Sequence, residues 1–260
     1  MLFPQLIKAN LQTKSLGREI EYYQRLESTN VEAFELIDEG GITDGTMVIT
    51  DHQYKGKGRQ GRSWFASPGK AVTFSVILRS EISVQQNGFL SLAAVVAAAE
   101  AVEKFGLTPA LKWPNDILIS GKKCGGILVE TKVQKDSIEY AVVGMGLNVN
   151  ESFIELPEEL RQTATTLSAE KGSPLQRELV VAWILNALEK WIDAVKSGES
   201  DSLRSAWLEK CDHINKTVVF TKNGVKKRGT FSGIDDNGAA LIKTSDGKIS
   251  LTGEEISLEI

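Results

Sequence analysis

The spacing of apolar residues predicts helices in three parts of the chain. The segment VEAFELIDE carries apolar residues at helical spacing, two glycines end it, and Ser28 or Thr29 is expected to cap it. Residues 89–105, FLSLAAVVAAAEAVEKF, are apolar on every side, which predicts a buried helix. Residues 176–195 carry a stripe of leucine, valine and tryptophan at helical spacing, and residues 201–211 extend this helical region.

Short β-rich runs separate and follow these helices. Residues 46–50 and 72–78 are predicted strands, and ALKW, DILI, CGGILVE and IEYAVVGMGLNV follow as further runs. Ser120-Gly121-Lys122 is expected to form a tight hairpin turn between the second and third of those runs. Hairpins indicate an antiparallel or mixed sheet, which favours an α+β fold with helices on one face over a doubly wound α/β fold.

The last part of the chain has a different character. After about residue 214, five short strands alternate with turn residues, which predicts a small all-β barrel. We therefore expect two domains, residues 1–213 and residues 214–260. The cluster Lys226-Lys227-Arg228 is interpreted as a solvated hairpin tip, with nucleic-acid binding as the alternative.

Composition narrows the function classes. The chain has 260 residues, 42% hydrophobic and 25% charged, and its net charge of −4 argues against a general nucleic-acid binder. Two cysteines are too few for a disulfide framework, and the N-terminus lacks the apolar stretch of a secretory signal, so we expect a cytoplasmic protein without a membrane span. Only two histidines are present, so catalysis is expected to depend on lysine, arginine and carboxylates.

A glycine-rich basic loop is the first candidate site. Residues 55–70 read KGKGRQGRSWFASPGK, in which glycines alternate with basic residues, as in loops that bind anions. The spacing overlaps the dinucleotide fingerprint and the P-loop pattern, but both need a helix, and here a Ser-Pro-Gly turn and a β-rich run follow. A kinase loop is excluded because the chain lacks HRD and DFG. The alternative is a solvated loop or an arginine-glycine segment that contacts RNA.

The segment KWPND is the second candidate site. Lys112 ends an apolar run two residues before Pro114, so its ammonium is expected to project from a rigid element. A mostly buried lysine needs a negative partner, which is either a phosphate or Asp116 in a structural salt bridge. Asn115 and Asp116 are also oxygen ligands of the kind Mg²⁺ prefers, with a simple turn as the alternative.

Five motifs together resemble one family, the biotin protein ligases. They are STN (residues 28–30), KGKGRQGRSW (55–64), KWPND (112–116), GGILVE (125–130) and GMGLNVN (144–150). They occur in the family's order and spacing, and the resemblance extends to the closing GEEISLEI. It implies a catalytic domain similar to class II aminoacyl-tRNA synthetases, with helices packed on a mixed sheet, followed by an SH3-like C-terminal domain.

The resemblance also implies a two-step reaction. Biotin and ATP would give biotinyl-5′-AMP and pyrophosphate, and a lysine of a biotin carboxyl carrier protein, such as that of acetyl-CoA carboxylase, would then take the biotinyl group. Lys112 and Arg59 would be the catalytic residues, Mg²⁺ would accompany ATP, and the glycine loop would close over the adenylate.

Individual roles follow from the same resemblance. The biotin-binding residues would be Ser28, Thr29, Asn30, Gln53, Lys57, Gly58, Arg59, Lys112, Gly144 and Gly146. The ATP-binding residues would be Arg59, Arg62, Trp64, Lys112 and Asn148, with Asp116 as a ligand of Mg²⁺.

The sequence differs from the family pattern in two respects, and two other functions remain as alternatives. Lys57 stands where many members have arginine, which puts a bidentate side-chain contact there in doubt. The segment before Gly17 is too short for a winged helix-turn-helix, so we expect a monofunctional ligase without DNA binding. The resemblance also allows a homodimer, which members of the family often form. The alternatives are a lipoate or octanoyl ligase-transferase of the same fold, and a biotin-responsive regulator or RNA-binding module.

Overall fold

The computed structural model describes residues 1–79, 84, 87–135, 137–222, 225–252 and 256–258. Within these residues the α-helices are α1 (Pro4–Ala9), α2 (Thr29–Glu39), α3 (Asn87–Glu103), α4 (Leu167–Lys171), α5 (Arg177–Lys196) and α6 (Ser200–Glu209). The strands are β1 (Ile20–Tyr23), β2 (Met47–Thr50), β3 (Gly56–Lys57), β4 (Ser63–Trp64), β5 (Val72–Arg79), β6 (Ala110–Lys112), β7 (Asp116–Ile119), β8 (Lys122–Gln134), β9 (Ser137–Leu147), β10 (Thr217–Lys222), β11 (Val225–Ile234), β12 (Ala240–Thr244), β13 (Gly247–Leu251) and β14 (Ile256–Leu258).

A seven-stranded mixed sheet forms the centre of the molecule. Its strand order is β1-β2-β5-β9-β8-β7-β6, in which β1 and β2 are parallel and every other neighbouring pair is antiparallel. The predicted hairpin turn is confirmed, because Ser120 and Gly121 both have positive φ and Ile119 pairs with Lys122. Lys122 itself already belongs to β8.

Helices cover both faces of this sheet, so the expectation of helices on one face is wrong. Alternate side chains of β2 and β5, such as Ile49 and Phe74, join the large core that contains α3 and α5. Side chains of the opposite parity, Val48 and Ile77, pack in a separate core with Ala33 of α2. Because successive side chains of a strand point to opposite faces, α2 lies across the sheet from α3 and α5.

The edge strand β1 and the short helix α1 were not predicted. β1 lies at the sheet edge, where its side chains are only partly buried, so the sequence IEYY carries no clear apolar alternation. α1 has six residues and buries Ile7, which joins the core that also contains α5. Within the described residues, no helix is both long and apolar enough to span a membrane.

The predicted small all-β unit is present after α6. Strands β10–β14 form an antiparallel five-stranded sheet in the order β13-β12-β11-β10-β14. Of the predicted closing run, residues 253–255 and 259–260 lie outside the described residues. The basic residues 226–228 are exposed on β11.

This unit contacts the end of the larger sheet. Leu111 of β6 exchanges backbone hydrogen bonds with Lys210 and Asp212, in the segment that leads from α6 to this unit. The indole Nε1 of Trp113 donates to the backbone oxygen of Gly238, in the turn between β11 and β12, at 3.2 Å. These contacts place the smaller sheet beside the strand end that carries Lys112.

Candidate functional site

A cavity of about 280 Å³ opens on the face of the large sheet that α2 covers. The glycine loop, the N-terminus of α2, the strands β7–β9 and the end of β6 surround it. The predicted site residues that line it are Ser28, Thr29, Asn30, Gln53, Lys57, Gly58, Arg59, Arg62, Trp64, Lys112, Asp116, Gly144 and Gly146. The fold therefore brings together residues from four distant segments of the chain.

The glycine loop is a two-stranded ribbon rather than the start of a helix. β3 and β4 pair antiparallel, and a 3₁₀ turn at Arg59–Gly61 joins them. The backbone N–H of Gly58 donates to the oxygen of Arg62 at 2.7 Å, which closes the turn. The next strand or helix along the chain is β5, as the sequence indicated, so the loop is neither a dinucleotide fingerprint nor a P-loop.

The N-terminus of α2 is capped by a residue from another segment. Gln53 Oε1 accepts the backbone N–H of Thr29 at 2.8 Å and its hydroxyl at 3.2 Å. The predicted N-cap position of Ser28 is confirmed, but the Ser28 side chain makes no capping hydrogen bond. The Gln53 amide is therefore oriented by the helix, with its oxygen committed to α2 and its NH₂ group on the other side.

A buried polar network orients Asn30. Ser75 donates its hydroxyl to Asn30 Oδ1 at 2.6 Å, and Asn30 Nδ2 donates to Glu130 Oε2 at 2.8 Å. The motifs missed Ser75 and did not single out Glu130. The signal for Ser75 was a serine inside the otherwise apolar run FSVIL, because a buried hydroxyl needs a hydrogen-bond partner.

Two glycines of β9 leave room for side chains of the site. A Cβ at Gly144 would overlap the Asn30 amide, and a Cβ at Gly146 would overlap the Trp64 indole. Among the described residues, the buried Trp64 Nε1 has no hydrogen-bond partner.

The two lysines near Asp116 differ in their contacts. Asp116 is the cross-strand neighbour of Lys112, but its carboxylate forms its ion pair with Lys123, at 2.5 Å between Oδ1 and Nζ. The alternative of a Lys112–Asp116 salt bridge is therefore wrong. Within the described part of the chain, the half-buried Lys112 forms no ion pair, so its ammonium is available for an anion.

The cavity is strongly cationic. Its described lining includes five basic side chains, Lys57, Arg59, Arg62, Lys112 and Lys123, and one carboxylate, Asp116. No group of three or more histidine, cysteine or acidic side chains within the described residues is arranged to hold a metal ion. The arrangement suits a polyanionic ligand, and any metal there would depend on oxygens that the ligand brings.

Asn148 lies apart from the other predicted site residues. It follows β9 and is buried, its Nδ2 donates to the backbone oxygen of Thr165 at 3.1 Å, and it is not among the residues that line the cavity. Its contact with the nucleotide stays a prediction.

Comparison with known proteins decides the family. The profile described as "Biotin/lipoate A/B protein ligase family" matches residues 22–148, and the profile "Biotin protein ligase C terminal domain" matches residues 213–258. The "Bifunctional ligase/repressor BirA" of Bacillus subtilis is 34% identical over 254 residues, which cover 97% of this chain and 78% of that protein. This chain belongs to the biotin protein ligases.

Other biotin protein ligases agree with this assignment. The "Biotin--[acetyl-CoA-carboxylase] ligase" of Mycobacterium tuberculosis is 33% identical over 198 residues, which cover 72% of this chain and 71% of that protein. The solved structure of the biotin protein ligase from Aquifex aeolicus in complex with biotin and ATP superposes with a TM-score of 0.80 at 27% identity. That match covers 93% of this chain and all of the other.

Proposed function

We propose that this protein activates biotin with ATP to biotinyl-5′-AMP and then transfers the biotinyl group to a lysine of a biotin carboxyl carrier protein. The observation that carries the proposal is the position of Lys112, a half-buried lysine without an ion pair in the described part of the chain, at a cavity wall shared with the basic glycine loop.

The first step needs cations because two anions must meet. One oxygen of the biotin carboxylate attacks the α-phosphorus of ATP, and the bond to the bridging oxygen of pyrophosphate breaks. Two like charges at 4 Å repel by about 4 kcal/mol at an effective dielectric constant near 20. Lys112, Arg59 and Arg62 line the same cavity and offset this repulsion there.

Mg²⁺ arrives with ATP in this proposal. It is usually bound by one or two carboxylates together with substrate phosphates. Asp116, the carboxylate of the described cavity lining, is already paired with Lys123, so the phosphates would supply most of the metal's ligands. When bound, the metal would spread the charge of the phosphates.

Biotin binding is assigned to the polar end of the cavity at α2. Ser28, Thr29 and Asn30 supply hydroxyl and amide groups, and Gln53 supplies an amide whose orientation is fixed by its contact with α2. Such groups complement the donors and acceptors of the ureido ring. Gly144 and Gly146 contribute by leaving space for Asn30 and Trp64.

The second step transfers the acyl group to an amine. The carrier lysine attacks the acyl carbonyl of the adenylate, and AMP leaves. A ribbon that covers the adenylate would protect it from water, which is the role proposed for the glycine loop.

We also propose a domain boundary between residues 213 and 214, because α6 ends before this point and β10 begins after it.

The test is incubation with biotin, MgATP and an isolated biotin carboxyl carrier domain. We expect the intact mass of the carrier to increase by one biotinyl group. A parallel incubation with lipoate and a lipoyl carrier domain separates the alternative activity. Modification of the lipoyl domain alone, or of neither carrier, would contradict the proposal.

A further inference from the structure

Lys123 lines the cavity but belongs to none of the roles assigned above. It is the second residue of β8, and its backbone is held on both sides. Its N–H donates to the oxygen of Thr163 at 2.8 Å, its oxygen accepts from Thr165 at 2.9 Å, and Leu118 of β7 is its partner in the sheet. The start of its side chain is therefore fixed relative to the cavity floor.

The Lys123 ammonium is held over the cavity by two groups. It lies 2.5 Å from Asp116 Oδ1 and 5.7 Å from the ring centroid of Trp64, which belongs to the glycine loop. The lysine side chain is 37% exposed, so it is accessible to a ligand. An ammonium has three N–H donors, and one carboxylate oxygen does not use all of them.

Charged side chains of alternating sign follow one another along the cavity floor. Lys112 and Asp116 are cross-strand neighbours, and Lys123 pairs with Asp116, so the cavity floor carries a cation, an anion and a second cation in a row. We propose that Lys123 binds a phosphate group of the nucleotide and that Asp116 is the residue that positions its ammonium. This inference rests on the proposed function, because it needs ATP beside Lys112.

The test compares Lys123→Met with Lys122→Met, an exposed neighbour outside the cavity lining. Biotin-dependent ATP–pyrophosphate exchange gives the KM for ATP and the KM for biotin at saturating Mg²⁺. We expect Lys123→Met to raise the KM for ATP roughly 10- to 100-fold, because a charge-assisted hydrogen bond is lost. The KM for biotin should stay within about twofold, since this contact is made to the nucleotide alone.

Rescue separates a binding role from a structural one. Lys123→Arg should recover most of the affinity for ATP, and Lys122→Met should behave as the wild type. Lys123→Gln serves as a second variant if Lys123→Met melts early. An unchanged KM for ATP in a folded variant, or an equal rise of both KM values, would overturn the proposal.

Asp116→Asn distinguishes a positioning carboxylate from a metal ligand. We expect the KM for ATP to rise, the Mg²⁺ concentration for half-maximal rate to stay unchanged, and Lys123→Met to add little in the double variant. A higher Mg²⁺ requirement with an unchanged KM for ATP would overturn the role given to Asp116. A wild-type protein without biotin-dependent exchange would contradict the proposed function itself, whereas an active wild type with an unaffected Lys123→Met contradicts only this inference.

Discussion

The two glycines of β9 leave the space in which the side chains of Trp64 and Asn30 lie against the sheet. The motif GMGLNVN suggested that these glycines admit a ligand. In the structure, they first admit protein side chains, which then form the cavity wall. The residue types were therefore predictable from sequence, but their neighbours were not, because Asn30 and Gly144 are far apart along the chain.

Gly146→Ala tests this packing. We expect the variant to lose about 1–3 kcal/mol of unfolding free energy, because the added methyl group overlaps the Trp64 ring. The control is the same substitution in a Trp64→Ala background, where the overlap is absent and the loss should largely disappear. Urea unfolding of the four proteins measures the coupling. An equal loss in both backgrounds would show that Trp64 is not the obstacle.

The buried carboxyl of Glu151 should make the unfolding free energy of the protein depend on pH. Burial raises the pKa of its carboxyl from 4.5 to about 7, and this effect outweighs backbone hydrogen bonds that lower the pKa. Its contribution to stability is complete below pH 4.5 and is lost as the pH rises through 7. Over this window the unfolding free energy should fall by up to about 1.4 kcal/mol per pH unit.

The variant Glu151→Gln removes this titration. Relative to the wild type, it should gain stability progressively from pH 5 to pH 8, as measured by urea unfolding at each pH. Parallel pH profiles for the two proteins would exclude the buried carboxyl as the source.

At the scale of elements, α2 shows what local patterns can and cannot provide. Its apolar spacing predicted the helix, and its end at Gly40 is where the glycines indicated. The predicted N-cap residue, Ser28, is confirmed, but the side-chain acceptor at this helix end is Gln53, a partner distant in sequence. Its position on the opposite face from α3 was also missed, since helical periodicity does not report which face of a sheet a helix covers.

The cap predicts an unequal effect of two substitutions. Gln53→Ala should lower the unfolding free energy by about 1 kcal/mol, because the N–H of Thr29 loses its acceptor. Ser28→Ala should cost less, because the Ser28 side chain makes no capping hydrogen bond. Thermal unfolding without ligand compares the two. A larger loss in Ser28→Ala would restore the hydroxyl cap that the sequence suggested.

At the scale of the whole molecule, the two sheets share a core. His213 is fully buried between Trp207 of α6 and Phe231 of β11, with ring centroids 5.9 and 4.3 Å away. Burial lowers the pKa of its imidazole to about 3, so the ring is neutral at physiological pH. The change in sequence character after residue 214 predicted the second sheet but not its contact with α6, because neither Trp207 nor Phe231 lies in a motif.

A shared core predicts cooperative unfolding. Calorimetry should show one transition, with a calorimetric enthalpy close to the van't Hoff enthalpy, because separating the sheets would expose Trp207 and Phe231. Two transitions, one of them with the small enthalpy of a unit of residues 214–260, would contradict this expectation.

The central claim is that Lys112 and the glycine loop together offset the repulsion between biotin and ATP. Its most direct test is biotin-dependent ATP–pyrophosphate exchange by the wild type and Lys112→Met, with thermal melting as a check on folding. We predict exchange that requires biotin in the wild type and falls by at least roughly 100-fold in the variant, the effect of removing one preorganised charge contact. Undiminished exchange in a folded Lys112→Met protein would contradict the account.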